Sequence, residues 1–287
     1  MFNSDEKLLT GENKMSFIIQ RLYSYYEENN LRGYQGILID ETQTKCLFID
    51  NVKSKLIDKS QRDEFINCLQ TLQQDTGFQS SETLLVDIQA LQNAEVDVQD
   101  FRIGEALAEV LLEENFKCRF YWNELRDARN PKGNKTGVDL VGFIEIDNGE
   151  VLFLFGEVKT SSEQKSPPQV MTNPSGLENQ LKDLYNDRNK RLILIAYIKN
   201  KINLTNNDDF KNDFAAAIKN YYNQNNSTYM LYGVLVRDTR PDEKDLKQSF
   251  DKLNRDILEN TIGLKLLAIY LPISKEKWLN IINGLEI

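Results

Sequence analysis

Apolar residues recur at helical spacing over Asn13–Glu28, at Met15, Phe17, Ile18, Ile19, Leu22, Tyr23 and Tyr26, and predict a helix there. Two short apolar runs, Gln35–Ile39 and Lys45–Ile49, flank polar Asp40–Thr44 and read as a hairpin. Arg62–Gln74 reads as a further helix. A stripe of Phe101, Ala108, Leu111 and Leu112 predicts a helix over 97–116. Strands follow at Phe116–Trp122, Val138–Ile146 and Val151–Thr160. A polar loop, Asn123–Gly137, separates the first two, and the Asp147-Asn-Gly turn joins the others into a hairpin. The unbroken apolar run Val151–Phe155 marks a central strand.

Beyond the polar loop Ser161–Ser175, helices and strands alternate. The pattern predicts helices at Leu177–Asn189, around Asp208–Tyr222, at Pro241–Asn254 with Pro in the first turn, and at Ser274–Ile282. It predicts strands at Arg191–Ile198, Tyr229–Arg237 and Leu264–Leu271. Strands alternating with helices give an α/β sheet covered by helices. The chain divides into a smaller α+β region, 1–95, that helps or binds a partner, and a main domain, 96–287.

Composition narrows the chemistry. With 40% apolar and 28% charged residues, the 287-residue chain has ordinary globular proportions. It shows no apolar run of about 18 residues, so no membrane span is expected. The start, MFNSDEKLLT, has neither a basic nor an apolar signal region. Cys46, Cys68 and Cys118 are scattered and form no CxxC pair, and a cytoplasmic location is expected. The chain contains no histidine. That excludes Ser-His-Asp and Cys-His catalysis and histidine-based zinc sites. Hydrolytic chemistry would have to rest on carboxylates, lysines and a hard, oxygen-liking metal such as Mg²⁺.

The net charge of −9 opposes unaided tight binding to nucleic acid. One segment runs the other way. Lys117–Lys135 holds six cations (Lys117, Arg119, Arg126, Arg129, Lys132, Lys135) against Glu124 and Asp127, a local +4 beside Tyr121 and Trp122. Arg126, Arg129, Lys132 and Lys135 are therefore candidates for tracking a phosphate backbone, the alternative being a solvated loop.

The segments that carry chemistry are Gly137-Val-Asp-Leu-Val-Gly142 and Phe155-Gly-Glu-Val-Lys-Thr-Ser161. Strand alternation puts Glu157 and Lys159 on one face and Val158 on the other. The hairpin can lay Asp139 beside Glu157. Two adjacent carboxylates disfavour each other's ionised form, and a divalent cation held by Asp139 and Glu157 removes that conflict. Glu105, on the preceding helix, could add a carboxylate, although glutamate early in a helix is also ordinary dipole chemistry. A solvated hairpin face with a structural ion pair uses the same residue types. Thr160, Ser161 and Ser162 more simply end the strand.

This order, a helix with Glu105, a hairpin with Asp139 and then Glu157-x-Lys159, then a helix and a further strand, resembles the PD-(D/E)xK nuclease superfamily. Val138-Asp139 stands where the motif's name has Pro-Asp. The resemblance covers roughly 97–200 and implies a restriction-endonuclease-like mixed sheet flanked by helices. It implies a Mg²⁺-dependent endonuclease, with Mn²⁺ substituting and Glu105, Asp139, Glu157 and Lys159 catalytic. Gln180 falls on the helix where that superfamily often places a polar site residue, and an exposed helix position is its alternative reading. The longer text GVDLVGF…LFLFGEVKTSS is similar to the nuclease subunit of Hachiman-type anti-phage systems. That likeness implies DNA as substrate and a stable complex with a superfamily 2 helicase. The alternative is a catalytically inactive module of the same fold that binds DNA or a partner protein.

Overall fold

The structure is a computed structural model that describes residues 19–57, 59–74, 81–93, 96–121, 137–223 and 228–285. These residues build a mixed seven-stranded sheet flanked by helices, the expected α/β class and compatible with a restriction-endonuclease-like fold. In chain order the strands are β1 (Gln20–Tyr26), β2 (Arg32–Leu38), β3 (Cys118–Arg119), β4 (Leu140–Glu145), β5 (Val151–Ser161), β6 (Met230–Arg237) and β7 (Gly263–Tyr270). Their spatial order is β1-β2-β7-β6-β5-β4-β3. The four inner strands β2, β7, β6 and β5 are parallel, while β1, β4 and β3 run antiparallel to their neighbours.

The helices are α1 (Glu41–Cys46), α2 (Lys53–Leu56), α3 (Lys59–Gln74), α4 (Glu82–Asn93), α5 (Asp100–Asn115), α6 (Gln169–Thr172), α7 (Leu177–Asn186), α8 (Arg188–Ile202), α9 (Asp208–Tyr221), α10 (Lys244–Asp256) and α11 (Trp278–Ile282). One core lies between the sheet and α5 with α11, through Leu107, Leu111, Leu154, Val158, Val236 and Trp278. The other lies beneath α7–α10, through Phe153, Phe155, Leu181, Phe210, Leu235 and Phe250. Buried on both faces, the parallel strands β5, β6 and β7 are largely apolar runs, as expected of central parallel strands.

Three elements differ from the sequence expectation. Residues 20–26 form strand β1, not part of a helix over Asn13–Glu28, whose first residues lie outside the described set. A register shift between Arg21 and Tyr23 breaks the period of two, so the strand looked helical. Gly36 opposes Tyr23 across the pair, and a Cβ at Gly36 would lie 2.3 Å from that ring.

The expected hairpin over 35–49 is a strand followed by a helix. Asp40, read as turn, accepts from the Gln43 amide at 2.9 Å and caps α1. A π-helical segment, Leu47–Val52, then buries Leu47, Phe48 and Val52.

The expected strand Arg191–Ile198 is the middle of α8. Asp187 caps it from the Lys190 amide, and Arg191, Ile195, Ile198 and Ile202 bury its inner face at helical spacing. The apolar run hid that spacing because outward residues are apolar too, Ile193 among them. On smaller points, Pro241 precedes α10 instead of opening it, and α4 had no sequence counterpart.

β1 and β2, from the region before residue 95, complete the sheet on the β7 side. Arg32, buried at the start of β2, donates to the carbonyls of Ile262 at 3.0 Å, Ile257 at 3.0 Å and Glu259 at 2.6 Å, holding the loop that enters β7.

Candidate active site

Strand β5 is apolar for its first half and changes character at Glu157. Alternation places Phe153, Phe155, Glu157 and Lys159 on one side and Leu152, Leu154 and Val158 on the other, and Val158 is buried in the α5 core. Glu157 is 1% exposed. The Lys159 Nζ lies 3.4 Å from Glu157 Oε2.

Asp139 was expected inside a strand beginning at Val138. Strand β4 instead begins at Leu140, opposite Gly156. One residue before the strand, Asp139 turns its carboxylate toward β5, and its Oδ2 accepts from the Val158 amide at 2.9 Å. The side chain thus continues the ladder where the β4 backbone has left it. That position places the Asp139 charge beside the Glu157 carboxyl.

Helix α5 supplies the third carboxylate. Gly104 allows the close approach, since a Cβ there would sit 2.2 Å from Thr160 Oγ1 on β5. Glu105 is thereby buried at the site and paired with Arg102 at 2.6 Å. Phe101, expected in the buried stripe, is more than a third exposed and borders the same cavity. The stripe consists of Ile103, Leu107, Leu111 and Leu112 with Ala108.

These groups enclose a cavity of about 320 Å³, with Glu105, Asp139, Glu157, Lys159 and Gln180 all on its wall. Burial, then the Asp139 charge, pushes the Glu157 carboxyl up to about 9, and Lys159 opposes the shift. Burial and Asp139 likewise push Glu105 up to about 8, against Arg102. Glu157 Oε1, Thr160 Oγ1 and Gln180 Oε1 are buried without a hydrogen-bond partner. Orphaned oxygens beside mutually repelling carboxylates suit a hard cation. Among the described residues no group of three or more Asp, Glu, Cys or His side chains is placed to hold a metal ion, so a cation here would rest on the Asp139–Glu157 pair with Glu105 alongside.

Residues 37–279 match the family model of HamA. The chain belongs to the HamA family. The matched span includes Glu105, Asp139, Glu157, Lys159 and Gln180, and it connects this protein with Hachiman-type anti-phage defence. No curated protein matches the chain.

In this HamA chain the cavity is braced from behind. Arg237, at the end of β6 and 1% exposed, pairs with buried Asp245 and donates to the carbonyls of Glu163 and Lys165, the latter at 3.3 Å. Asp245 also accepts from the Tyr270 hydroxyl at 2.8 Å. The loop that follows Lys159 is thus tied to β6, α10 and β7. Helix α7, which carries Gln180, is tied to α10 through Glu178, bonded to Ser249 at 2.8 Å and Lys252 at 2.5 Å.

The proposed phosphate-tracking residues Arg126, Arg129, Lys132 and Lys135 lie outside the described residues, as does Trp122. Three neighbours of theirs have internal partners. Arg119 pairs with Asp213 at 2.6 Å, Lys117 with Glu145 at 3.6 Å, and Tyr121 stacks on Phe210 with ring centroids 4.7 Å apart. Arg102 escaped the sequence reading. Its signal was the spacing of three to Glu105, which aligns the two on one helix face.

Proposed function

We propose that this HamA protein is a divalent-metal-dependent DNA nuclease, an endonuclease or nickase, that works in anti-phage defence with a superfamily 2 helicase subunit. One observation carries the reading. Asp139 and Glu157 meet at the end of a buried strand, an orphaned Glu157 oxygen faces a cavity, and Lys159 stands on the same strand face. Asp139 and Glu157 would hold Mg²⁺, or Mn²⁺ in its place, and such an ion stabilises charge on a phosphodiester and acidifies a bound water.

The chain's own groups do the rest. The Val158 amide fixes Asp139, so that carboxylate needs no reorganisation when substrate arrives. Lys159 has a side chain 19% exposed and can donate to a phosphate oxygen or orient a water in the cavity. Arg102 compensates the charge of Glu105, and the Gln180 amide can fix the water or a phosphate oxygen. Arg126, Arg129, Lys132 and Lys135 would follow the DNA backbone. With a net charge of −9, affinity for DNA would come largely from the partner.

Incubation with supercoiled plasmid tests this, with and without the neighbouring genomic product, in Mg²⁺ or chelator. The expected outcome is metal-dependent nicking or linearisation that Lys159→Ala abolishes. Absence of cleavage in every combination would favour a catalytically inactive binding module.

A further inference from the structure

Strand β5 ends at Ser161, and the chain re-enters regular structure at α6, Gln169–Thr172. The loop between them, with α6, joins two walls of the carboxylate cavity, Lys159 with Thr160 on β5 and Gln180 on α7. Residues 162–166, Ser-Glu-Gln-Lys-Ser, offer no apolar side chain to anchor the loop. Arg237 anchors it from beneath, donating to the Glu163 carbonyl, to the Lys165 carbonyl at 3.3 Å and to the Ser166 hydroxyl at 3.4 Å. Asp245 holds the same guanidinium, and the two side chains are 1% and 0% exposed.

Burying an arginine and an aspartate strips both of water, and their attraction offsets little more than that loss, so an apolar pair would pack the spot equally well. Apolar side chains could not donate to carbonyls, and a fixed loop is therefore what the charged pair adds. The loop in turn presents a cation. Lys165 is exposed, and among the described residues its ammonium makes no hydrogen bond and no ion pair. Glu163, the acid of the loop, already accepts from the Gln169 amide at 3.0 Å through its carboxylate. A positive charge thus stands on a loop bounded by the cavity walls, with its backbone root clamped, which lowers the entropy lost when it meets an anion.

We infer that Lys165 contacts the phosphate backbone of the DNA strand entering the cavity, and that Arg237 is a positioning residue acting through it. The inference rests on the DNA substrate of the nuclease reading. The chemistry selects phosphate over base. An exposed ammonium is a compact point charge, suited to a phosphate whichever base that phosphate carries. In a chain of net charge −9, an unopposed cation next to the carboxylates also gives the strand an attractive point of entry.

Fluorescence anisotropy of a labelled DNA duplex with the full chain, at low salt in chelator, tests this. Lys165→Gln should weaken binding several-fold, equally for two duplexes of unrelated sequence, and lower the slope of log Kd against log salt by about 0.9. Lys219→Gln, on the exposed end of α9 beside the start of β5, should change nothing. Arg237→Met with Asp245→Leu should melt near wild type and bind as weakly as Lys165→Gln, and adding Lys165→Gln should weaken it no further. Should that pair fail to fold, Arg237→Lys keeps the charge, loses the fork and is expected to show the same loss. An unchanged slope in Lys165→Gln would overturn the contact, as would a wild type that binds no duplex, and additive losses would overturn the positioning role. A wild type that binds duplex but cleaves no plasmid in Mg²⁺ would sink the nuclease reading and leave this contact standing.

Discussion

Asp139 Oδ2 and the Val158 amide are 2.9 Å apart, and that bond makes a side chain serve as the last rung of the β4–β5 ladder. Two demands fall on one carboxylate: completing the sheet and offering an oxygen to the cavity. Asn at 139 can meet the first and not the second. Asp139→Asn should therefore melt close to wild type in chelator, because it keeps the acceptor for the Val158 amide. It should lose Mg²⁺ binding. Asp139→Ala loses the same binding and in addition the bond, worth about 1 kcal/mol. Calorimetry that finds equal Mg²⁺ binding in wild type and either variant rules out the assignment.

Neighbouring positions on β5 should respond in opposite ways. Lys159→Ala should abolish cleavage and leave the melt nearly unchanged, because the side chain borders the cavity. Val158→Asp should cost about 3 kcal/mol or more, since it buries an unpaired charge in the α5 core. Circular dichroism and plasmid cleavage on both variants decide it. A folded Val158→Asp beside an unfolded Lys159→Ala would reverse the strand facing.

The raised carboxylates make metal-free stability depend on pH. Glu157 titrates near 9 and Glu105 near 8 when folded, both against an ordinary 4.5. Between those values the folded chain holds more protons than the unfolded one. Stability in chelator is thus greatest below about pH 4.5 as far as these groups decide it, and falls as pH rises through 8 to 9. Glu157→Gln should flatten the decline. Metal binding at this pair would release these protons, so Mg²⁺ affinity should tighten over the same range. Melts in chelator that fall equally steeply for wild type and Glu157→Gln would refute the assignment.

Partner dependence has its own test. At physiological salt the isolated chain should bind bare duplex DNA weakly, because a net −9 opposes the local +4 of Lys117–Lys135. Size-exclusion chromatography should show a stable complex with the proposed superfamily 2 helicase subunit, and cleavage should rise when the two are combined. Tight DNA binding and full-rate cutting by the isolated chain would contradict this.

The site was legible in sequence because β5 obeys period-two alternation and the turn Asp147-Asn-Gly sets its partner. From those alone, Asp139, Glu157 and Lys159 fall together. Glu105 was offered by its place on the preceding helix and Gln180 by resemblance to a known order of elements, and both line the cavity. Arg237 was not legible, because its partners Glu163 and Asp245 depend on a loop path that no local pattern encodes. Local pattern also failed at β1, where a bulge destroys the alternation, and at α8, where apolar residues on both faces erase the helical stripe. In each case tertiary contacts decided between periods that the sequence left close.

The bond from Arg32 to the Ile262 carbonyl spans 230 residues of chain, and among the described strands β2, which Arg32 opens, pairs in parallel only with β7. During synthesis at about 5–20 residues per second, Arg32 and its strand wait on the order of 10–50 s for that partner to be made. Over the same interval β5 acquires β6, then the α10 groups that hold Glu178 and Arg237, and only afterwards the strand that closes the sheet. The carboxylate pocket is therefore among the last parts of the molecule to become rigid, so a nascent chain carries the pocket's carboxylates and lysine well before it can hold them in place.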